Sequence, residues 1–295
     1  MCGIAGIFHC STPKPVDAVR VERMCDAMIH RGPDGAGVWT APGVGLGHRR
    51  LSIIDLAGSP QPMHSSDGRA VIVFNGEIYN FQELRRELEA GGAAFHTHGD
   101  TEVILAAWQR WGPDCLSRLH GMFAFALYDL TQRTLFLARD RLGVKPLFMA
   151  HLSDGSLAFA SELKGLLAHP LLRREADPLA IEDYLTWGYV PDHRSILKGV
   201  GKLPAGHYLL LRHDAPPASA IKWWDVSFAD RHKGSEADFE AELLYHLREA
   251  VTSRMVADVR SQSRTGTDVF DRLRCGFARR DLLCWQNCGT LCDCA

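Results

Sequence analysis

The sequence predicts an α/β protein of layered α+β type, with antiparallel sheets covered by helices. Two observations predict it: short apolar or aromatic runs separated by hairpin-length connections, and helical periodicities gathered between blocks of those runs instead of alternating with them. In chain order, residues 16–29 (VDAVRVERMCDAMI) carry apolar side chains at helical intervals, and HRGPDGAG at 30–37 breaks the pattern into a loop. Residues 70–74 (AVIVF) read as a buried strand, and Asn75-Gly76 immediately after is a turn dipeptide, so the chain is expected to turn sharply there. Asn80 with Glu83 suits the N-terminal cap of a helix FQELRRELEAGG, and Gly91 suits its C-terminal stop. A second amphipathic helix, TEVILAAWQRW, starts after Asp100, and strands are expected at 122–130, 134–140, 157–162 and 207–212. Residues 213–236, rich in Pro, Ala, Ser and Asp around Trp223-Trp224, read as a connector. A helix over 237–256 follows, with Phe239, Leu243, Leu244, Leu247 and Val251 on one face that must bury against something.

With 295 residues, 46% hydrophobic and 23% charged, the chain has ordinary globular composition and can bury a large core. A formal net charge of -2 gives no electrostatic case for nucleic acid or an anionic membrane, so a small-molecule substrate fits better. No basic leader and no apolar run near 18 residues occurs, which makes the cytoplasm the expected location. Cys2, Cys10, Cys25 and Cys115 are scattered, whereas Cys275, Cys284, Cys288, Cys292 and Cys294 crowd the last 21 residues. From Arg260 to Ala295 there is no Lys, Glu or Pro, so the text changes character at Val259/Arg260. The tail cysteines have no CxxC pair and no His beside them, which argues against a metal site.

The opening Met1-Cys2-Gly3-Ile4-Ala5-Gly6 carries the first chemical signal. Removal of Met1 would place a thiol and a free α-amine on one residue. Their reference pKa values, about 8.5 and about 7.7–8.0, let the amine take the thiol proton near neutrality without a partner His or Asp. Four further segments assemble around this idea: HRRLSIID (48–55), FNGEIYN (74–80), HGDTEVI (98–104) and the CGIAGIF start itself. Together with HRGPDGAG, RDRLGVKPLF (139–148) and FASELKGLL (159–167), they make residues 2–259 resemble the glutamine amidotransferases of the N-terminal nucleophile hydrolase superfamily, most closely the asparagine synthetase family.

That resemblance implies a four-layer αββα sandwich of two antiparallel sheets over residues 2–212, followed by the truncated start of an α/β synthetase domain at 237–259. It implies that Cys2 attacks the glutamine carboxamide, releasing ammonia and leaving a glutamyl thioester for hydrolysis to glutamate. The Asn75 side-chain amide and the Gly76 N–H would form the oxyanion hole. Arg50 would hold the α-carboxylate, because guanidinium offers a planar fork to both oxygens. Main-chain groups of Leu51 and Ile53 would flank the ligand, and Glu77 and Asp100 would hold its ammonium. An aspartate before TEVILAAW equally suits a helix N-cap, and Arg49 suits a surface ion pair. Asp140-Arg141 and Ser161-Glu162-Leu163-Lys164 are expected to be scaffold.

No cofactor is implied for glutamine hydrolysis. In the parent family, ATP and magnesium serve a later step through a phosphate loop SGGxDS, but RSQSRTGTDVF stands in its place and no SGG occurs in the sequence. A reading-frame change near Val259/Arg260 is the expected cause, leaving 260–295 atypical or disordered and the preceding helix without its partner. Exposed apolar surface there would favour self-association, as in a homodimer. Two alternatives stand beside the enzyme reading: a catalytically silent binding or assembly module, and an amidotransferase for another carboxylate acceptor.

Overall fold

The computed structural model describes residues 1–56, 58–215, 218–229, 233–256 and 258. Two units are distinguished, Met1–Asp258 and Val259–Ala295; the second, with the tail and its cysteines, lies outside the described residues, so the frame-change expectation does too. The first unit opens with β1 (Gly3–His9), α1 (Ala18–Asp26), β2 (Gly35–Ala41), β3 (Val44–Arg50), β4 (Met63–His64) and β5 (Ala70–Ile78). Helices α2 (Phe81–Ala90), α3 (Thr101–Trp111) and the short α4 (Cys115–Arg118) come next, followed by β6 (Gly121–Asp129), β7 (Thr134–Arg139), β8 (Phe148–His151) and β9 (Ser156–Ala160). The unit continues through α5 (Leu163–Leu167), α6 (Pro178–Trp187), β10 (Val200–Lys202), β11 (His207–Arg212), β12 (Ile221–Lys222) and α7 (Glu236–Ser253).

Two six-stranded sheets result, ordered β10-β8-β9-β1-β3-β2 and β12-β11-β7-β6-β5-β4, and the strand pairings are antiparallel throughout. Strand alternation divides the apolar residues among three cores. Ile4 and Phe8 of β1 meet Val71, Val73, Ala124, Ala126, Leu135 and Leu137 of the other sheet, forming the layer between the sheets. Ala5 and Ile7 point the other way, onto Val21, Met24 and Met28 beneath α1 and Leu166 of α5. On the far side, Ile72, Phe74, Phe125 and Phe136 pack against Leu84 and Leu88 of α2 and Ile104 and Trp108 of α3. The arrangement is the expected αββα sandwich.

Three local expectations are corrected. Asn75-Gly76 forms no turn: both lie inside β5, paired with Ala124 and Phe123. The glycine is needed for close approach, since a Cβ there would stand 2.2 Å from the Met122 carbonyl oxygen. Asn80 does occupy the N-cap position of α2 but makes no side-chain cap; its amide instead donates to Arg118 O at 3.0 Å and accepts from His120 N at 2.9 Å. The 213–236 connector is partly sheet, because β12 pairs with β11 and Trp223 stacks on Phe123 with ring centroids 6.2 Å apart.

Helix α7 starts with a complete capping box, Ser235 and Asp238 bonding each other's backbone amides, yet none of its residues is buried. The stripe read from the sequence therefore finds no cover among the described residues, with Leu243 60% and Leu247 50% exposed.

Candidate active site

Strand β1 begins one residue after Cys2, and its antiparallel register with β3 (Gly3 opposite Arg49) brings Cys2 beside the end of β3. There the Leu51 N–H donates to Cys2 Sγ at 3.3 Å, and the thiol can donate to Leu51 O at 3.5 Å. Burial pushes the Cys2 thiol up, and the Leu51 N–H, the chain's terminal amine and Arg50 pull the other way. The nucleophile candidate is also held from behind. Arg31 Nε donates to Cys2 O at 2.8 Å, and Arg31 Nη1 donates to Glu162 Oε1 at 2.8 Å. Burial alone would raise the Glu162 carboxyl, but hydrogen bonds from Arg31, His30 and Lys164 outweigh it and bring it down to about 2.

The end of β5 supplies the facing wall. Tyr79 N donates to His120 O at 2.7 Å, which fixes the odd-numbered residues of β5 as those bonded to β6. The N–H groups of Phe74, Gly76 and Ile78 therefore face the opposite edge, beyond the two-residue reach of β4. Phe74 N donates to Gln61 Oε1 at 2.7 Å and Ile78 N donates to Asp100 Oδ2 at 3.0 Å. Between them, the Gly76 N–H faces the pocket that Gly76 lines. By the same alternation, the Asn75 side chain shares the inward face of Val71 and Val73. Asn75 is 1% exposed, and neither its amide nitrogen nor its amide oxygen has a partner among the described residues. Leaving a buried amide unpaired costs about 1–3 kcal/mol, so this pair at the pocket wall is open to hydrogen bonding by whatever enters the pocket, water or a ligand.

Asp100 sits at the N-cap position of α3 without capping it, because its carboxylate is turned toward β5. Burial drives its carboxyl up to about 6, and burial likewise raises Glu77. Arg50 spends its guanidinium on the loop that follows it, donating to Leu56 O at 2.8 Å and Asp55 O at 2.6 Å. Arg49 turns away to pair with Asp26, as a surface ion pair should. All eight residues singled out from the sequence, Cys2, Arg50, Leu51, Ile53, Asn75, Gly76, Glu77 and Asp100, line one pocket, which Ser59, Gln61, Met122 and Lys145 also enclose.

Sequence reasoning missed three supports, Gln61, His48 and Arg31, the last paired with Glu162, which was expected to be scaffold. Gln61 satisfies the Phe74 N–H and donates to Thr101 Oγ1 at 3.3 Å, and nothing in its surroundings marks it in the sequence. His48, fully buried, bridges the sheets by donating Nε2–H to Phe74 O at 3.0 Å. Burial lowers it to about 4, so it stays neutral near pH 7. Arg31 and Glu162 lie in stretches that resemble the family, but only the fold shows that they meet beneath Cys2. Asp140, read as scaffold, is one: its carboxylate accepts from the amides of Phe123, Leu142, Val144 and Lys145.

Two antiparallel sheets packed face to face between helices, with a thiol at the start of the first strand, define the N-terminal nucleophile hydrolase class of fold. A solved structure of glutamine phosphoribosylpyrophosphate amidotransferase from B. subtilis has the same fold, with TM-score 0.56 over 76% of this chain and 49% of that one, at 19% identity. The chain belongs to the glutamine amidotransferase domain family, whose model matches residues 1–224. Among curated relatives, asparagine synthetase [glutamine-hydrolyzing] 3 of Bacillus subtilis is 36% identical over 264 residues, covering 88% of this chain and 42% of that protein. Asparagine synthetase B of Escherichia coli is 42% identical over 171 residues, covering 57% of this chain and 30% of that protein. The chain thus spans about two fifths or less of the length of these relatives.

Proposed function

We propose that this chain hydrolyses L-glutamine to glutamate and ammonia, with Cys2 as nucleophile and, once Met1 is removed, its own α-amine as base. The observation that carries the reading is the Asn75 amide lining the same pocket as Cys2, a buried hydrogen-bonding pair with no partner among the described residues. In this scheme the Asn75 amide N–H and the Gly76 N–H receive the charge that develops on the carboxamide oxygen. Arg50 exchanges loop carbonyls for the substrate's α-carboxylate, a stronger acceptor, and Leu51 and Ile53 flank it. Glu77 and Asp100 hold the ammonium. The thioester then loses glutamate to water.

Hydrolysis requires no cofactor in this reading. In an asparagine synthetase-type parent, ATP and magnesium would activate a carboxylate, aspartate in the first instance, to receive the ammonia. No SGG occurs in this sequence, and no residue of the chain is assigned to that step.

The test is a glutamine hydrolysis assay across pH. Glutamate and ammonia should appear in equal amounts. Because burial has raised Asp100 to about 6, its carboxyl takes a proton as pH falls through that value and can no longer pair with the substrate's ammonium. The quantity kcat/KM, which reports the free enzyme, is therefore expected to fall below about pH 6 by at least about tenfold per pH unit. Protonation of Glu77, also raised by burial, acts in the same direction. Absence of glutamate, or a kcat/KM that stays level down to about pH 5, would count against the assignment.

A further inference from the structure

The loop after β3 forms one wall of the pocket through Leu51, Ile53, Ile54 and Ser59, and among the described residues it has no strand partner. Arg50 holds its carbonyls, and the Asp55 carboxylate gathers Gly58 N at 2.8 Å, Ser59 Oγ at 3.1 Å and His98 N at 2.9 Å. Asp55 does so with φ of 50°, a left-handed backbone that aspartate tolerates better than most residues with a side chain. The remaining hold comes from a residue 203 positions away. Asp258 Oδ2 accepts from Asp55 N at 2.6 Å, and Asp258 N donates to Ile53 O at 3.0 Å. Ile53 O and Asp55 N are the two groups through which an extended edge would pair with a neighbouring strand, so one aspartate takes the place of that strand.

The segment bearing Asp258 is itself lightly attached. No residue of α7 is buried, and just past its end the Arg254 guanidinium lies over the Tyr79 ring, 4.3 Å from the centroid. Tyr79 follows directly on β5, which carries Asn75, Gly76 and Glu77. Past the end of α7, Arg254 therefore touches the residue that follows β5, and Asp258 touches the loop that lines the pocket.

We infer that Asp258 is a positioning residue of the glutamine pocket, and that through it the seating of α7 sets the conformation of the 53–55 wall. This rests on the proposed hydrolysis of glutamine for its kinetic consequence, but not for its structural one. Asp258 is exposed and touches none of the groups proposed to break or make bonds; its contacts are to the main chain of Ile53 and Asp55, on the binding side of the pocket, so its removal should leave kcat within about twofold. Losing the bond from the Asp55 N–H to the Asp258 carboxylate, the one that alanine removes, should raise KM for glutamine about tenfold.

Full-length wild type, Asp258→Ala and Asp258→Asn are compared by glutamine kinetics and by hydrogen exchange of the peptide spanning 52–59. The alanine variant should show the KM rise and faster exchange in this peptide. The asparagine variant keeps an oxygen acceptor for the Asp55 amide and should restore both. Unchanged exchange in Asp258→Ala overturns the inference, as does an asparagine variant as impaired as the alanine one. If the wild type releases no ammonia, the functional reading fails, and faster exchange in Asp258→Ala alone still supports the pin.

Discussion

Cys2→Ala is expected to abolish glutamine hydrolysis, lowering kcat by at least about 10³-fold, with glutamine binding largely kept. The size follows from what the residue supplies: in the proposed scheme one side chain attacks the carboxamide, and among the described residues no other cysteine lines the pocket. Cys25 and Cys115 are buried in the cores, and burial pushes both thiols up to about 12. Cys10 is raised by burial as well and is absent from the pocket lining. Steady-state ammonia release beside direct binding of glutamine checks this, and an alanine variant as active as the wild type would remove Cys2 from the mechanism.

Asn75→Ala is expected to reduce kcat by about 10²–10³-fold with KM little changed, the usual consequence of losing one donor from an oxyanion site. Folding stability should move the other way or not at all. Both ends of the wild-type amide are buried without a partner among the described residues, so alanine removes a desolvated polar group without breaking a hydrogen bond to any of them. A residue with a purely structural role would give the reverse pattern, with activity tracking a lowered melting temperature. Thermal unfolding and kinetics of the same variant separate the two.

The sequence carried the fold and the membership of the site more clearly than the geometry that makes the site work. Strand and helix positions followed from local periodicity, because each face must choose between a core and water; β1, with Ile4 and Phe8 inward and Ala5 and Ile7 outward, shows that choice in seven residues. Asn75-Gly76 was misread because the dipeptide's commonest use is a turn. Here the glycine serves a strand-to-strand approach that depends on Met122, 46 positions later, and the asparagine faces a ligand space. Asn80 and Asp100 both stand at cap positions, but long-range acceptors and donors claim their side chains: Arg118 and His120 for one, Ile78 for the other. Local propensity cannot foresee such competition. Gln61 and His48 were illegible for a related reason, since each answers a main-chain group of Phe74 that becomes available only when strands and sheets have assembled.

The stripe on α7 shows the converse. Its periodicity was legible, as were its approximate ends, but a pattern states that a face needs cover without naming the cover. Among the described residues, the contacts past the end of the helix are those of Arg254 with Tyr79 and of Asp258 with the 53–55 loop.

The central claim is that a processed Cys2 is the attacking group in a pocket for a free amino acid. A glutamine-analogue electrophile added to the purified chain, followed by peptide mapping by mass spectrometry, tests it most directly. The account predicts one adduct, on a peptide that begins at Cys2 with Met1 gone, and protection of that site by excess glutamine. An adduct on another cysteine, or an unmodified Cys2 still carrying Met1, would contradict it.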